Sequence, residues 1–162
     1  WDAASVGGPG KMLIHAEVTG KAAHGFHPEQ GINAGIEAAR FAAEVCRAVP
    51  ELRHAKAPSS QTVLSIHAGS ELYVVTMPEK AVVTVTRLTV PGETKEAVLG
   101  KMRAFADSLN SPAKFDLTLR DPYYTPWSFE EPEHAFTKAF VAAHRKTRGS
   151  GSGTGAEIVR RE

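Results

Sequence analysis

The feature that most constrains the fold is a change of hydrophobic period, from two to about 3.6 residues and back, made twice along one stretch of chain. Between Lys11 and Val18, Met12, Ile14, Ala16 and Val18 point one way and Leu13, His15 and Glu17 the other, the mark of a strand with one buried face. From Ile32 to Val49 the apolar positions Ile32, Ile36, Ala39, Ala43, Cys46 and Val49 recur at steps of three and four, opposite Asn33, Glu37, Arg40, Glu44 and Arg47. That spacing predicts an amphipathic helix, stopped before Pro50. Thr62 to Ala68 alternates again, with Leu64, Ile66 and Ala68 on one face and Val63, Ser65 and His67 on the other. Gly69-Ser70-Glu71 turns the chain, Leu72 to Met77 is a short apolar approach, and Ala81 to Val90 is rich in the β-branched residues that suit a pleated surface. Pro91-Gly92-Glu93 opens a second helix to Leu109, with Val98, Met102, Phe105 and Leu109 on one face, and Lys114 to Arg120 alternates through Phe115, Leu117 and Leu119. The order β-α-β-β-α-β over residues 11–120 fits one antiparallel sheet with both helices on one face, an α+β, ferredoxin-like two-layer sandwich. Such a sheet keeps one face open and two edge strands without partners.

The remainder does not extend this pattern. Asp121 to Trp127 holds Pro122, Tyr123, Tyr124 and Pro126 and reads as a crossing segment, followed near Pro132 by a further helix with Phe136, Ala139, Phe140 and Ala143 in one stripe. Residues 149–155, Gly-Ser-Gly-Ser-Gly-Thr-Gly, have the composition of a flexible, engineered linker. Residues 156–162 then form a short alternating charged segment, read either as a strand relocated from before Trp1 or as an appended peptide. With 19 Lys and Arg against 18 Asp and Glu, the chain lacks the basic footprint of a nucleic-acid binder. No apolar run approaches the roughly 20 residues that span a bilayer, and the amino end lacks the basic and apolar regions of a signal peptide. Cys46 is the only cysteine, which excludes an intramolecular disulfide and a Cys-rich zinc site and fits a reducing compartment, so the expected location is cytoplasmic.

Seven histidines invite a metal-site reading, but no His-Glu-x-x-His and no His-x-Asp occurs, and no metal site is expected in the chain. His15 and His67 alternate with core positions on separate strands and are expected to share the open sheet face as solvent- or partner-facing residues. His54, His134 and His144 read as surface residues, and Glu130-Glu131 as carboxylates that favour the helix start at Pro132. The loop from Gly20 to Gly31 differs in concentrating Gly, His and Pro between a strand and a helix. In it His24, flanked by Ala23 and Gly25, is either an unobstructed reactive imidazole or a helix-start residue bonded to backbone, with Phe26 and Pro28 fixing the loop against the helix.

The run Gly20-Lys21-Ala22-Ala23-His24-Gly25-Phe26-His27-Pro28-Glu29-Gln30-Gly31-Ile32-Asn33-Ala34 resembles the signature that opens the dimerisation, or lid, domain of a dizinc metallopeptidase family. That family contains aminoacylase, glutamate carboxypeptidase, acetylornithine deacetylase and succinyl-diaminopimelate desuccinylase. Met77-Pro78-Glu79-Lys80-Ala81, with Val85-Thr86-Arg87 and Pro91-Gly92-Glu93-Thr94, is similar to its second lid signature. The likeness covers Met12 to Arg120, and Pro122 to Arg148 looks like the start of the second half of a catalytic domain. One departure is Val75-Thr76 before Met77-Pro78, where the family usually has Asn two or three positions before the proline.

The resemblance implies that His24 reaches across a dimer into the partner's active site, polarising the scissile carbonyl and stabilising its oxyanion. It implies that Arg87 holds a substrate carboxylate, a task for a planar fork of donors, and that Gly31, Asn33 and Ala34 pack the helix start tightly. Two zinc ions are expected in the full-length parent, whose ligands lie in a catalytic domain that the lid interrupts; these 162 residues alone are expected to be inactive. The expected partners are a second copy, paired through a lid edge strand and a helix with the second strand as that edge, and the parent's catalytic domain. The expected parent reaction is amide hydrolysis of N-acyl amino acids or small peptides. The alternative is a free-standing ferredoxin-like binding or regulatory module that uses the open face bearing His15 and His67.

Overall fold

Alternation makes the strands and 3.6-residue periodicity the helices, and the tertiary structure decides which faces meet. The computed structural model describes residues 3–5, 7–47, 61–70, 75–90, 92–128, 135–148 and 157–159. Its elements are β1 (Ala3–Ser5), β2 (Gly7–Gly8), β3 (Gly10–Thr19), α1 (Ala34–Arg47), β4 (Gln61–Ala68), β5 (Lys80–Thr89), α2 (Lys95–Ser108), β6 (Lys114–Tyr124), β7 (Trp127–Ser128), α3 (Ala135–Arg148) and β8 (Glu157–Val159). A 3-10 turn lies at Pro28–Gln30.

The main sheet has the order β4-β5-β3-β6 and is antiparallel throughout. Its two central strands are joined to the edges by the connections that carry α1 and α2, which is the expected ferredoxin-like topology. Ile14 lies opposite Val85 and Leu119, Ala16 opposite Val83 and Leu117, and Val18 opposite Ala81 and Phe115. Together with Met12 these side chains form the helix-facing layer, and Met12, Ile14, Val18, Val83 and Val85 are fully buried. Phe41 of α1 joins the layers, its ring 6.1 Å from Phe105 of α2 and 5.3 Å from Phe115 of β6. The start of α2 is capped by Thr94, whose hydroxyl accepts from the Ala97 N–H at 3.2 Å.

Within the sandwich, three expectations about faces and ends change. The buried stripe of α1 is Ala34, Ala38, Phe41, Ala42 and Val45, while Ile36, Ala39, Ala43 and Cys46 are exposed. An alanine-rich helix offers two apolar stripes, and burying the one that holds Phe41 removes more apolar area from water. In β4 a register shift between Val63 and Ser65 places Val63, Ile66 and Ala68 opposite the buried Val85, Val83 and Ala81. Leu64 is the extra residue of that bulge and leaves the face assigned to it by alternation. β6 continues past Arg120 to Tyr124, so part of the expected crossing segment is strand, paired to β3 across an irregularity between Lys11 and Leu13.

Outside the main sheet β2 pairs antiparallel with β7 and β1 parallel with β8, Ala4 opposite Ile158. α3 buries Val141, whereas its expected stripe, Phe136, Ala139, Phe140 and Ala143, is exposed. The expected linker at 149–155, the helix stop at Pro50, Leu72, Glu130-Glu131, Pro132, His54 and His134 lie outside the described residues.

Candidate functional site

After β3 the chain makes a loop that is stitched to a second segment distant in sequence. Gly20 N–H donates to Glu79 O at 2.8 Å, Met77 N–H to Ala23 O at 2.9 Å, Gly25 N–H to Val75 O at 2.8 Å and Ala34 N–H to Pro78 O at 3.0 Å. Within the loop, Lys21 and Ile32 exchange both backbone bonds, at 2.9 and 2.8 Å. The loop 20–34, which carries the first family-like signature, and residues 75–79, which include Met77-Pro78-Glu79 of the second, are thus one structural unit. Approach is so close that a Cβ at Gly31 would lie 2.6 Å from Lys21 O and from Met77 Cε, and one at Gly20 would run into Ile32 O. Asn33 closes the unit against α1, its Oδ1 accepting from Gly35 N–H at 2.9 Å and Ile36 N–H at 3.2 Å. This capping role was readable in principle from an Asn just ahead of an apolar-periodic run.

His24 stands exposed at the outer end of this unit, its backbone bridged to Thr76. The turn at its tip is closed by His27 N–H donating to His24 O at 2.8 Å. The imidazole stacks on the Phe26 ring, centroids 5.3 Å apart and planes 28° from parallel, and Nδ1 accepts from the Phe26 N–H at 3.3 Å. A neutral imidazole that accepts at Nδ1 carries its proton on Nε2. His24 therefore presents an N–H donor outward, the group needed to hold a carbonyl or oxyanion oxygen. Phe26, expected to dock on the helix start, is 81% exposed and packs on His24 instead. Val75, 39% exposed, flanks the same tip, with its Cγ1 3.2 Å from where a Cβ at Gly25 would sit.

Arg87 is placed elsewhere. It lies on β5 seven residues beyond Lys80, about 23 Å from the loop end of the strand at roughly 3.3 Å per residue, and is 1% exposed on the helix-facing side. Its Nη2 makes a close ion pair with Glu93 Oε1 and its Nη1 donates to Gln61 Oε1 at 3.4 Å, while Glu93 Oε2 accepts from the Val90 N–H at 3.2 Å. The carboxylate this fork holds is one of the chain's own, and His24 and Arg87 are not brought together. His15, opposite Thr84 and Thr118, and His67, opposite Val82, do share the face turned away from the helices. Among the described residues no three His, Cys, Asp or Glu side chains gather as a metal site. Among the described residues no helix is long and apolar enough to cross a membrane.

The two sheet edges differ in chemistry. β6 exposes Lys114, Asp116 and Arg120, charges that discourage edge pairing. β4 exposes Leu64, at 56%, and Ile66, and α1, packed over β4 and β5, turns Ile36, at 64% exposed, with Ala39 and Ala43 to the outside. The α1 stripe read from periodicity as core is in fact part of an exposed apolar flank.

Residues 6–114 match the family described as the peptidase dimerisation domain. A search of curated proteins finds no match. Among solved structures the chain is similar to a tripeptidase from Staphylococcus aureus, with a TM-score of 0.73 and 18% identity, covering 98% of this chain and 39% of that one. It is similar also to an amidase of the hydantoinase/carbamoylase family from Burkholderia vietnamiensis, with a TM-score of 0.65 and 19% identity over 98% of this chain and 36% of that one. An aminopeptidase from Bacillus cereus gives 0.66 and 18%, over 97% of this chain and 39% of its own length. At these identities the likeness is one of fold, and the chain spans well under half of each of these proteins.

Proposed function

The chain belongs to the peptidase dimerisation domain family, and from that premise we propose that it pairs two copies of a longer amide hydrolase and lends His24 of each to the reaction centre of the other. The observation that carries the reading is the apolar flank of α1 beside the β4 edge. A two-fold axis along that edge would satisfy the unpaired backbone groups of both copies at once, joining two four-stranded sheets, and would set the Ile36 stripes against each other.

On this reading His24 supplies the Nε2–H that holds the carbonyl oxygen of an N-acyl amino acid or small peptide as charge develops on it. The stitched loops supply the positioning, since four backbone bonds tie the imidazole's segment to residues 75–79. The resemblance adds two zinc ions in the complete hydrolase. Among the described residues no group of three or more His, Cys, Asp or Glu side chains gathers to hold them. Arg87 enters the proposal as an internal ion pair that holds β5 to the start of α2, not as a substrate contact. The open-face module has only the shared face of His15 and His67 in its favour.

Sedimentation of the protein tests the pairing, with a dimer expected and a strict monomer at high micromolar concentration counting against it. In the complete hydrolase, His24→Ala is expected to lower kcat for amide hydrolysis by about 10²–10³, the usual loss for one oxyanion donor. An unchanged kcat would remove His24 from the reaction.

A further inference from the structure

We propose that Phe26 and Val75 form an apolar wall beside the His24 donor, and that this wall selects N-acyl amino acids whose amino-acid side chain, on the carbon next to the amide nitrogen, is apolar or aromatic. The inference rests on the reading of His24 as a carbonyl donor and goes beyond it by naming the substrate class.

The argument begins with the turn. Gly25 separates His24 from Phe26, and the tip is held from both sides, by Gly25 N–H to Val75 O and by His27 N–H to His24 O, each at 2.8 Å. The Phe26 ring is consequently carried on a fixed backbone, and the same residue's N–H occupies His24 Nδ1. One residue thus sets the imidazole's outward N–H and places a phenyl ring against it, 5.3 Å between centroids. An oxygen accepting from Nε2 would lie about 2.9 Å from it, so the substituents of that carbonyl fall within reach of the phenyl ring. The imidazole covers one side of the phenyl, which is otherwise left 81% exposed, an unusual state for the largest apolar side chain on a loop. Val75, across Gly25, adds a second exposed apolar side chain to the tip.

The carboxylate-holding fork lies away from this tip. His27 Nδ1 and Glu29 Oε1 lie 3.5 Å apart beside the wall, and Arg87, the fork expected to hold a carboxylate, is buried against Glu93 at the other end of β5. An apolar substrate side chain would cover the exposed phenyl face.

The test uses the complete hydrolase and compares kcat/KM for N-acetylphenylalanine with that for N-acetylglycine, in wild type, Phe26→Ala and Phe26→Leu. Phe26→Ala is expected to lower the ratio by about tenfold or more, the discrimination typical of an apolar pocket, chiefly through KM, and Phe26→Leu to restore part of it. Because Phe26 is exposed, neither variant endangers folding. An equal loss on both substrates, or an unchanged ratio, overturns the wall while leaving His24 in place. Dissociation of the dimer by Phe26→Ala also overturns it, by making the ring a subunit contact. If wild type hydrolyses neither substrate nor any other N-acyl amino acid, or if His24→Ala is without effect, the underlying reading fails and the wall falls with it.

Discussion

Replacing Glu93 by alanine asks whether Arg87 is a structural residue or a substrate contact. In the native fold the guanidinium and the carboxylate are both buried, with side-chain exposures of 2% and 6%, and the carboxylate also accepts the Val90 N–H. Glu93→Ala leaves the Arg87 charge buried with Gln61 as the remaining acceptor among the bonds described above. Breaking a buried pair from one side costs about 3–5 kcal/mol, and the loss of the Val90 acceptor adds about 1 kcal/mol. A total of about 5 kcal/mol is a large part of the 5–15 kcal/mol typical of a domain. With an m-value of about 2 kcal/mol/M in urea, the unfolding midpoint falls by about 2.5 M. Glu93→Gln, which keeps the shape and one hydrogen bond, is expected to lose about half as much. The double replacement Arg87→Met with Glu93→Leu is expected to recover most of the stability, because a buried pair exchanged for apolar residues is often close to neutral. The assay is equilibrium urea unfolding followed by circular dichroism. A midpoint shift below about 0.3 M for Glu93→Ala would refute the reasoning, since it would mean that Arg87 does not depend on its internal carboxylate and is free to serve another.

Other outcomes follow from the same structure. Phe41→Ala, which removes the ring packed on both Phe105 and Phe115, is expected to cost about 3–5 kcal/mol in the same unfolding assay, whereas Ile36→Ala is expected to cost little. Gly20→Ala places a methyl against the Ile32 carbonyl and is expected to cost about 1–3 kcal/mol; a neutral result would show that the 20–34 loop can yield. Ile36→Lys removes one exposed apolar contact from each protomer of the proposed dimer, about 1–2 kcal/mol apiece, so Kd by analytical ultracentrifugation is expected to rise by about 30-fold or more. No change in Kd would place the interface elsewhere.

Sheet strands were legible because alternation is a local signal. The strand read at Lys11 to Val18 is Gly10–Thr19, and that read at Ala81 to Val90 is Lys80–Thr89, each within two residues at its ends. The face of α2 was legible for the same reason, since Val98 and Met102 form its only long apolar row and both are buried. His24 was legible as an exposed imidazole in a Gly-rich loop, although its stacking on Phe26 was not, because nothing in residue spacing reveals which way a loop ring turns.

What the sequence by itself determined was the order of elements and hence the ferredoxin-like topology, since a change of period between two and 3.6 is written in successive residues. Only the tertiary structure decided which of the two apolar stripes of α1 faces the core, that a bulge at Leu64 reverses part of β4, that the segments 20–34 and 75–79 are stitched together, and that Arg87 closes on Glu93. Each of these depends on surfaces brought together from distant parts of the chain. There burial of the larger apolar area and satisfaction of buried charge outweigh a local pattern that is compatible with more than one arrangement.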